Sequence, residues 1–302
     1  MRSRPRTRQQ YARAGEYRTR VSRGSRSAAP RSLEFDNLVT GTLGILGTGL
    51  IGGSIGKAAR ERGWYVLGYD VSLEALDAAQ TIGAIDERTT REGIYERCDV
   101  VAIAAHVNAT IDEVRSVERA RPVRPRLIFD VSSVKGPVAA VARDIANFVP
   151  SHPMAGSEKA GATHASAAMF SGRAWAYVPA ADERANAAMR AFAISVGATP
   201  VIVDPAEHDR AVALTSHLPQ VLATCFASQF RARGDGGASV LCGPAARELL
   251  RLGGSPSTIW RDIYAANAQN LERELRLLAI ALESVADGLA AGGPLAASWR
   301  PL

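Results

Sequence analysis

The chain has 302 residues, of which 47% are hydrophobic, 22% charged and 6% aromatic, proportions typical of a globular enzyme with one large core or two smaller ones. Ten arginines and one glutamate give residues 1–31 a charge of +9, so the net charge of +6 leaves residues 32–302 at −3. This balance argues against a basic, nucleic-acid-binding core. The lack of an apolar run near the roughly 20 residues that span a bilayer argues against a membrane protein.

The cysteines and the N-terminal 38 residues give the sequence evidence on where in the cell the protein is found. Three widely spaced cysteines, Cys98, Cys225 and Cys242, predict neither a disulfide framework nor a metal site, so we expect a protein of the reducing cytoplasm. Residues 1–38 predict a basic, disordered tail, although their Arg- and Ser-rich, acid-poor composition is also that of an organellar transit peptide. A third interpretation is an arm that binds RNA or a membrane, which deletion of residues 1–31 would test.

From Thr42 onward, short apolar runs alternate with helical stretches, which indicates β-α-β units on a parallel sheet. A helix is predicted over residues 50–62 and closed by Gly63, and Ser72 is placed to cap the next helix, which Gly83 stops. The predicted strands cover residues 43–46, 65–69, 100–104, 127–129 and 148–149, and later strands at 174–178 and 200–203 complete a mixed sheet.

After Asp204 the β-type alternation ends, and residues 205–290 predict three long helices. The last helix is expected to begin with Ser255 as its N-cap and Pro256 at its first position. Spacings of three and four predict an apolar face that packs against other helices within the subunit or across a dimer. That face consists of Leu271, Leu275, Leu278, Leu282, Val285 and Leu289.

These elements predict two folded domains after the tail. Residues 39–204 are expected to form an α/β, Rossmann-like dinucleotide-binding domain, and residues 205–302 an all-helical domain. The stretch after Gly292 is expected to be loosely packed.

A glycine-rich turn, Gly47-Thr-Gly-Leu-Ile-Gly52, joins the first predicted strand to the first helix and predicts a dinucleotide site. Gly47 allows the tight turn, Gly49 lets the backbone approach a pyrophosphate, and Gly52 lets the helix pack closely on the strand. The alternative is a glycine turn with no ligand, which the flanking strand and helix disfavour.

Three further residues complete the predicted cofactor site. The amides of Leu50 and Ile51 lie at the positive end of a helix, where they can bind phosphate oxygens. Asp70 follows Gly47 by 23 residues and can accept both ribose hydroxyls. Its charge would repel a 2′-phosphate, so NAD is favoured over NADP.

Polar side chains follow two further predicted strands. The segment Asp130–Gly136 follows one strand, and His152 follows the next. Ligands bind at the carboxyl edge of open α/β sheets, so Ser133 is expected to approach His152 there. An imidazole at this edge is a candidate general base for oxidation of an alcohol. The alternative is a capping or core histidine, which the Pro153 and Gly156 turn disfavours.

Several segments together match the pattern of a known family and occur in its order. They are Gly47–Ser54, Asp130–Lys135, His152–Glu158, His208-Asp209, Ser216–Pro219, and Arg251 with Trp260–Ile263. Through them the chain resembles the prephenate/arogenate dehydrogenase family of tyrosine biosynthesis over roughly residues 42–285. The resemblance implies a Rossmann-like NAD-binding domain, a helical domain that builds a homodimer, and oxidative decarboxylation of prephenate to 4-hydroxyphenylpyruvate or of arogenate to tyrosine.

The resemblance also implies catalytic roles. His152 matches the histidine that takes the proton of the ring 4-hydroxyl while hydride passes from C4 to the nicotinamide and the ring carboxylate leaves as CO2. Ser133 matches the serine that orients the hydroxyl and the imidazole. Arg251 matches an arginine that holds a substrate carboxylate, for which its planar fork is suited.

Four more residues are predicted to bind substrate: Ser157, Glu158, His217 and Gln220. Glu158 would gate access or steer protonation, and its alternative is a surface carboxylate. His217 is equally consistent with a structural role. Many family members carry a histidine where this chain has Gln220, which leaves side-chain preference and pH dependence open. The pair His208-Asp209 is interpreted as the start of a helix.

Competing hypotheses differ in their chemistry. A β-hydroxyacid dehydrogenase of the same architecture would need a lysine in the helical domain, yet Lys57, Lys135 and Lys159 all precede residue 205. A catalytically silent nucleotide-binding protein would not need His152. The choice between prephenate, arogenate and an amino-substituted prephenate stays open, and no metal, nucleic acid or membrane partner is expected.

Overall fold

The computed structural model describes residues 41–119, 124–233, 240–255 and 257–291. The predicted basic tail, the helix position of Pro256 and the stretch after Gly292 lie outside these residues. Within the described ranges, no helix is long and apolar enough to cross a membrane.

Strands and helices alternate in the first part of the described chain, and helices alone follow. The strands are β1 (Thr42–Leu46), β2 (Tyr65–Tyr69), β3 (Glu87–Arg88), β4 (Val100–Ile103), β5 (Leu127–Asp130), β6 (Phe148–Val149), β7 (Ser151–Pro153), β8 (Ala174–Tyr177) and β9 (Thr199–Ile202). The helices among them are α1 (Leu50–Arg60), α2 (Leu73–Thr81), α3 (Arg91–Arg97), α4 (Val107–Arg119), α5 (Gly136–Ala142) and α6 (Glu183–Ser195). The helices after β9 are α7 (Pro205–Val212), α8 (Leu218–Arg233), α9 (Pro244–Gly253), α10 (Ser257–Ala266) and α11 (Ala268–Ala290). The predicted fold class, a Rossmann-like sheet followed by an all-helical part, is confirmed.

The main sheet has six parallel strands in the order β3-β2-β1-β4-β5-β6. This order reverses between β1 and β4, and dinucleotides bind outside the carboxyl ends of the strands at such a switch point. A hydrophobic core lies on each face of this sheet. Because side chains alternate along a strand, Val100 and Ala102 of β4 pack in one core, and Val101 and Ile103 pack in the other.

The predicted ends of helices α1 and α2 lie at or within two residues of the observed helix ends. Helix α1 ends at Arg60, two residues before the predicted end, and Gly63 follows with a φ of +84°. Ser72 caps α2 by accepting a hydrogen bond from the Ala75 amide, and Gly83 has a φ of +70° beyond its end. Glycine adopts this left-handed conformation without a Cβ clash, which is why it ends helices.

The late strands do not complete the main sheet, so this prediction was wrong. β7, β8 and β9 form a separate three-stranded sheet in which β7 and β8 are antiparallel and β8 and β9 parallel. Pro150 separates β6 from β7 and has no N–H to donate, so the pairing of β6 cannot continue through it. The second sheet consequently positions His152, which pairs with Ala176.

The prediction of three long helices was also wrong, because the described residues after β9 contain five α-helices and a π-helical turn at Ala213–His217. Gly243 caps α9 and Pro244 is its first residue, while Gly254 ends it. The helix expected to run on from residue 256 is interrupted at Asn267, which separates α10 from α11. The spacing of apolar residues did not predict these breaks between helices.

Candidate active site

The glycine turn between β1 and α1 has the geometry that a dinucleotide requires. Gly47 has a φ of +93°, and its amide donates to the carbonyl of Tyr69 at 2.9 Å. A Cβ at Gly52 would lie 1.9 Å from the carbonyl oxygen of Gly47, so only glycine permits this packing of helix on turn. A Cβ at Gly49 would meet no atom within 4 Å, which leaves the space above the turn open to a ligand.

The start of α1 and Asp70 complete the turn. Gly49 supplies no side-chain cap and the first turn of α1 holds no acid, so the amides of Leu50 and Ile51 are available to bind an anion. One oxygen of Asp70 accepts from the Thr48 amide at 2.7 Å, and the other from the Ser72 amide at 2.9 Å. Asp70 therefore braces the turn, and these residues fit the pyrophosphate and ribose of a dinucleotide.

A buried ion pair fixes the chain segment that carries His152. Lys135 and Asp130 are fully buried, with Nζ 2.6 Å from the carboxylate, and the same Nζ donates to the Ser151 carbonyl at 2.6 Å. Asp130 in turn accepts from the Ser151 amide at 2.9 Å. The network ties the carboxyl end of β5 to the backbone just before His152, at the edge of the sheet where the glycine turn also lies.

His152 is half-buried and has a histidine as its partner. Its Nδ1 lies 3.0 Å from Nε2 of His208, and the two rings meet edge to face at 73°. Removal of water from the ring, helped by the nearby His208, Lys135 and His217, lowers the pKa of His152 well below its ordinary value. Its Nε2 has no hydrogen-bond partner among the described residues, so a neutral imidazole presents this atom to a ligand.

His208 and Asp209 are the residues that sequence analysis missed. Nδ1 of His208 lies 2.8 Å from the Asp209 carboxylate, which also accepts from the amides of Lys135 at 2.7 Å and Gly136 at 2.8 Å. Burial alone would raise the pKa of Asp209, but the bonds from His208 and the two amides outweigh it and lower that pKa. The pair was a signal as one of the segments that match the family, but the start of a helix was sufficient to explain it.

Ser133 is half-buried, and no hydrogen bond joins it to His152 within the described part of the chain, where the imidazole is bonded to His208. The neighbouring Ser132 hydroxyl is buried and has no hydrogen-bond partner among the residues that the structure describes. The role assigned to Ser133 stays a prediction for the substrate-bound enzyme.

His217 lies buried in the π-helical turn between α7 and α8. Its Nδ1 accepts a 3.2 Å hydrogen bond from Asn267, whose amide also donates to the Asp209 carbonyl at 2.7 Å. The ring packs edge to face on Trp260, with centroids 6.2 Å apart. Burial lowers the pKa of His217 to about 4. Asn267, at the break between α10 and α11, thus links His217 to Asp209, whose carboxylate holds His208 behind His152.

Arg251 and Glu158, both predicted to bind substrate, contact each other. The guanidinium donates to Glu158, and it also donates to both oxygens of Glu248 at 2.9 and 2.6 Å. Its side chain is 44% exposed, so a substrate carboxylate can reach it. Because Arg251 has five N–H donors in a planar fork, it can exchange Glu158 for another carboxylate while keeping Glu248.

Two other predicted substrate residues have partners within the chain. The amide of Gln220 is buried and donates to the carbonyl of Leu252 at 2.9 Å, at the end of the helix that carries Arg251. The hydroxyl of Ser157 is exposed and accepts from the Lys159 amide at 3.2 Å. Contact of Gln220 and Ser157 with a substrate stays a prediction.

Comparisons with known proteins place the chain in a family. A model of the nucleotide-binding domain of prephenate dehydrogenase matches residues 55–202, and a model of its dimerization domain matches residues 204–288. The probable prephenate dehydrogenase NovF of Streptomyces niveus is 36% identical over 81% of this chain and 69% of its own length. The prephenate dehydrogenase of Bacillus subtilis is 29% identical over 78% of this chain and 66% of its own length. The chain thus spans about two thirds of these relatives.

Solved structures share the fold. The prephenate dehydrogenase of A. aeolicus in complex with hydroxyphenyl propionate and NAD+ superimposes with a TM-score of 0.75 at 23% identity, over 83% of this chain and 91% of that one. The arogenate dehydrogenase of Synechocystis superimposes with a TM-score of 0.66 at 22% identity, over 83% of this chain and 92% of that one. The two matched domain models and the 36% identical relative show that this protein belongs to the prephenate dehydrogenase family.

Proposed function

We propose that the protein catalyses the NAD-dependent oxidative decarboxylation of prephenate to 4-hydroxyphenylpyruvate, or of arogenate to tyrosine. The observation that carries the proposal is His152, whose Nδ1 is held by His208 at 3.0 Å while its Nε2 has no hydrogen-bond partner among the described residues. A neutral imidazole in that position can accept the proton of an alcohol as its carbon is oxidised.

NAD is the cofactor that the glycine turn fits. The turn and the first amides of α1 would hold the pyrophosphate, and Asp70 would accept the ribose hydroxyls and disfavour the 2′-phosphate of NADP. When bound, NAD supplies the acceptor for a hydride. The structure of the A. aeolicus relative contains NAD+, which supports this assignment.

The chain's own residues would position the substrate and handle one proton. His152 Nε2 would bind the ring 4-hydroxyl and take its proton, and the same atom can return it to the phenol oxygen once the ring carboxylate has left as CO2. Arg251 would hold a substrate carboxylate in place of Glu158, so Glu158 would act as a gate. Ser133 would orient the hydroxyl.

This chemistry determines the class of substrate, but it does not determine which side chain the substrate carries. Prephenate and arogenate both carry a ring hydroxyl for His152 and a carboxylate for Arg251; they differ in a keto or an amino group on the side chain. An amino-substituted prephenate meets the same requirements. NovF, the 36% identical relative, is named a probable prephenate dehydrogenase, which favours prephenate.

We further propose that the enzyme acts as a homodimer. The matched dimerization domain supports this, as does the apolar surface of α11, where Ile280, Leu282 and Leu289 are 59%, 56% and 64% exposed. Residues 39–204 and 205–302 remain our proposed domain limits. The cytoplasm remains the proposed location.

Steady-state rates with both substrates and both cofactors test the proposed function. NADH should appear when the enzyme is given prephenate or arogenate with NAD, at a higher rate than NADPH appears with NADP. If neither substrate nor an amino-substituted prephenate produces reduced cofactor, a silent nucleotide-binding protein becomes the better hypothesis.

A further inference from the structure

Behind His152 lies a chain of two more polar groups that is almost completely buried. His152 Nδ1 lies 3.0 Å from His208 Nε2, and His208 Nδ1 lies 2.8 Å from Asp209. His208 and Asp209 are each only 5% exposed. Buried polar groups that connect in series fix one another's donor and acceptor roles.

The direction of these hydrogen bonds follows from the far end of the chain. Asp209 accepts from the backbone amides of Lys135 and Gly136, which favours the ionised, acceptor-only carboxylate. His208 must therefore donate from Nδ1, which leaves its Nε2 as an acceptor. His152 must then donate from Nδ1, which leaves its Nε2, on the other side of the ring from His208, unprotonated.

We propose that His208 and Asp209 are positioning residues that set the tautomer of His152 and take over its charge during proton transfer. The proposal rests on the proposed role of His152 as the base. As the substrate O–H bond breaks, an N–H bond forms at His152 Nε2, and the Nδ1 proton of His152 moves to His208 Nε2. One proton has entered the chain, and the positive charge lies on His208 beside the Asp209 carboxylate. Reversal of both transfers returns the proton to the phenol oxygen.

The surroundings of His152 explain why the charge should move. The groups that face its ring are His208 on α7, the buried ammonium of Lys135 and the buried His217, and all three disfavour a positive charge on it. His208 instead has a carboxylate at 2.8 Å in a buried site, where opposite charges attract more strongly than in water. A base with a low intrinsic proton affinity can thus accept a proton because the charge does not stay on it.

Two substitutions test the relay. His208→Phe keeps a ring but removes the acceptor for His152 Nδ1. Asp209→Asn keeps an oxygen for the Lys135 amide and for His208 but removes the negative charge, so a proton that moves to His208 is no longer stabilised there. For both variants we expect kcat to fall by about 10² to 10⁴, the usual contribution of acid/base catalysis, with the dissociation constant of NAD nearly unchanged.

The pH profile separates a relay from a merely structural role. In Asp209→Asn the proton taken up by the histidine pair loses the carboxylate's stabilisation, so the acid limb of kcat/KM should move to lower pH. Asp204→Ala is the matched control, because Asp204 caps the same helix by accepting from the Ala206 and Glu207 amides. Loss of this cap should lower the melting temperature and leave the acid limb in place. Asp209→Asn that keeps both kcat and the wild-type acid limb would overturn the relay.

An experiment independent of turnover uses NMR of enzyme with 15N-labelled histidines at neutral pH. We expect His152 and His208 both to be protonated at Nδ1 only, and we expect His152 in His208→Phe, which lacks the acceptor for the Nδ1 proton, to populate both tautomers. Wild-type His152 protonated at Nε2 under these conditions would refute the proposal. If the wild-type enzyme turns over neither prephenate nor arogenate, the proposed function fails, and the NMR tautomers still decide the arrangement of the relay.

Discussion

His152 illustrates how single side chains in this site depend on their neighbours. The ion pair of Lys135 and Asp130 fixes the backbone before it, and His208 holds its Nδ1. Packing around the ring lowers its pKa, so the imidazole stays neutral at pH 7. The surroundings therefore keep the proposed base unprotonated to a lower pH than an isolated histidine, whose pKa is near 6.5.

Replacement of His152 by asparagine should remove the base and leave cofactor binding intact. We expect His152→Asn to lower turnover by about 10² to 10⁴, the usual contribution of one acid/base group, with an unchanged dissociation constant for NAD. Steady-state rates and quenching of protein fluorescence by NAD would measure these two quantities. His164→Asn, at an exposed histidine, is the control and should behave as wild type. Unchanged turnover in His152→Asn would refute the role of this side chain.

Arg251 should matter for its fork and not only for its charge. Arg251→Lys keeps the positive charge but loses two-pronged binding of a carboxylate, so KM for the substrate should rise by about tenfold or more. Arg97→Lys is a matched control, because Arg97 also binds a glutamate through two nitrogens, Glu87, on the exposed surface of α3. Equal KM values for Arg251→Lys and wild type would remove Arg251 from the substrate site.

At the scale of elements, the two glycines of the β1–α1 turn serve different purposes. A Cβ at Gly52 would overlap the carbonyl of Gly47 at 1.9 Å, so Gly52→Ala should destabilise the fold by about 1–3 kcal/mol and weaken NAD binding. A Cβ at Gly49 meets nothing within 4 Å, and its φ of −69° suits alanine. Gly49→Ala should therefore keep the wild-type melting temperature and weaken NAD binding by about tenfold, because the methyl group occupies the ligand's space.

Thermal melting and NAD titration of the two glycine variants would check this contrast. Full NAD affinity in Gly49→Ala would mean that the pyrophosphate does not lie over the turn. A wild-type melting temperature in Gly52→Ala would mean that α1 packs less closely on the turn than the structure indicates.

The π-helical turn between α7 and α8 makes stability depend on pH through His217. Its pKa of about 4 in the folded protein is below the unfolded value near 6.5, so the unfolded state binds more protons between these pH values. The free energy of unfolding should therefore fall as the pH is lowered from about 6.5 to about 4, with His217 contributing about 2 to 3 kcal/mol. Urea unfolding at pH 7 and pH 4.5 should show a smaller loss in His217→Phe than in wild type. An equal loss would assign the acid sensitivity to other groups.

At the scale of the whole molecule, α11 exposes large apolar side chains that a folded monomer would be expected to bury. A groove of about 500 Å³ lies beside Tyr264, Leu271 and Leu275, and Leu282 is 56% exposed. Apolar faces of this kind are typical of subunit interfaces. The same spacing of leucines had predicted helix packing without deciding between one subunit and two.

A charge in that face should disrupt the proposed dimer. We expect Leu282→Glu to shift the protein from dimer to monomer at micromolar concentration, because the carboxylate would be buried without a partner. Sedimentation velocity would measure this shift. Leu73→Glu makes the same change at a leucine that is 73% exposed on α2, and it should remain dimeric. A wild-type protein that sediments as a monomer would contradict the dimer itself.

Patterns within short stretches of sequence were sufficient for much of this protein. The glycine turn, Ser72 as a cap, the buried strands of the main sheet and the change to helices after Asp204 all follow from spacing and local propensity. These features depend on contacts between near neighbours, so the chain encodes them wherever it folds. The family resemblance located His152 and Arg251 in the same way.

The partners of those residues depend on contacts that no local pattern contains. His152 meets His208 across 56 residues, Asp209 meets the Lys135 amide across 74, and Arg251 meets Glu158 across 93. The same holds for the second sheet, which the proline after β6 separates from the first, and for the helix break that brings Asn267 to His217. Only the packing of the helical part against the sheet edge selects these pairs, because the same dipeptide His208-Asp209 would be an ordinary helix start on any other surface.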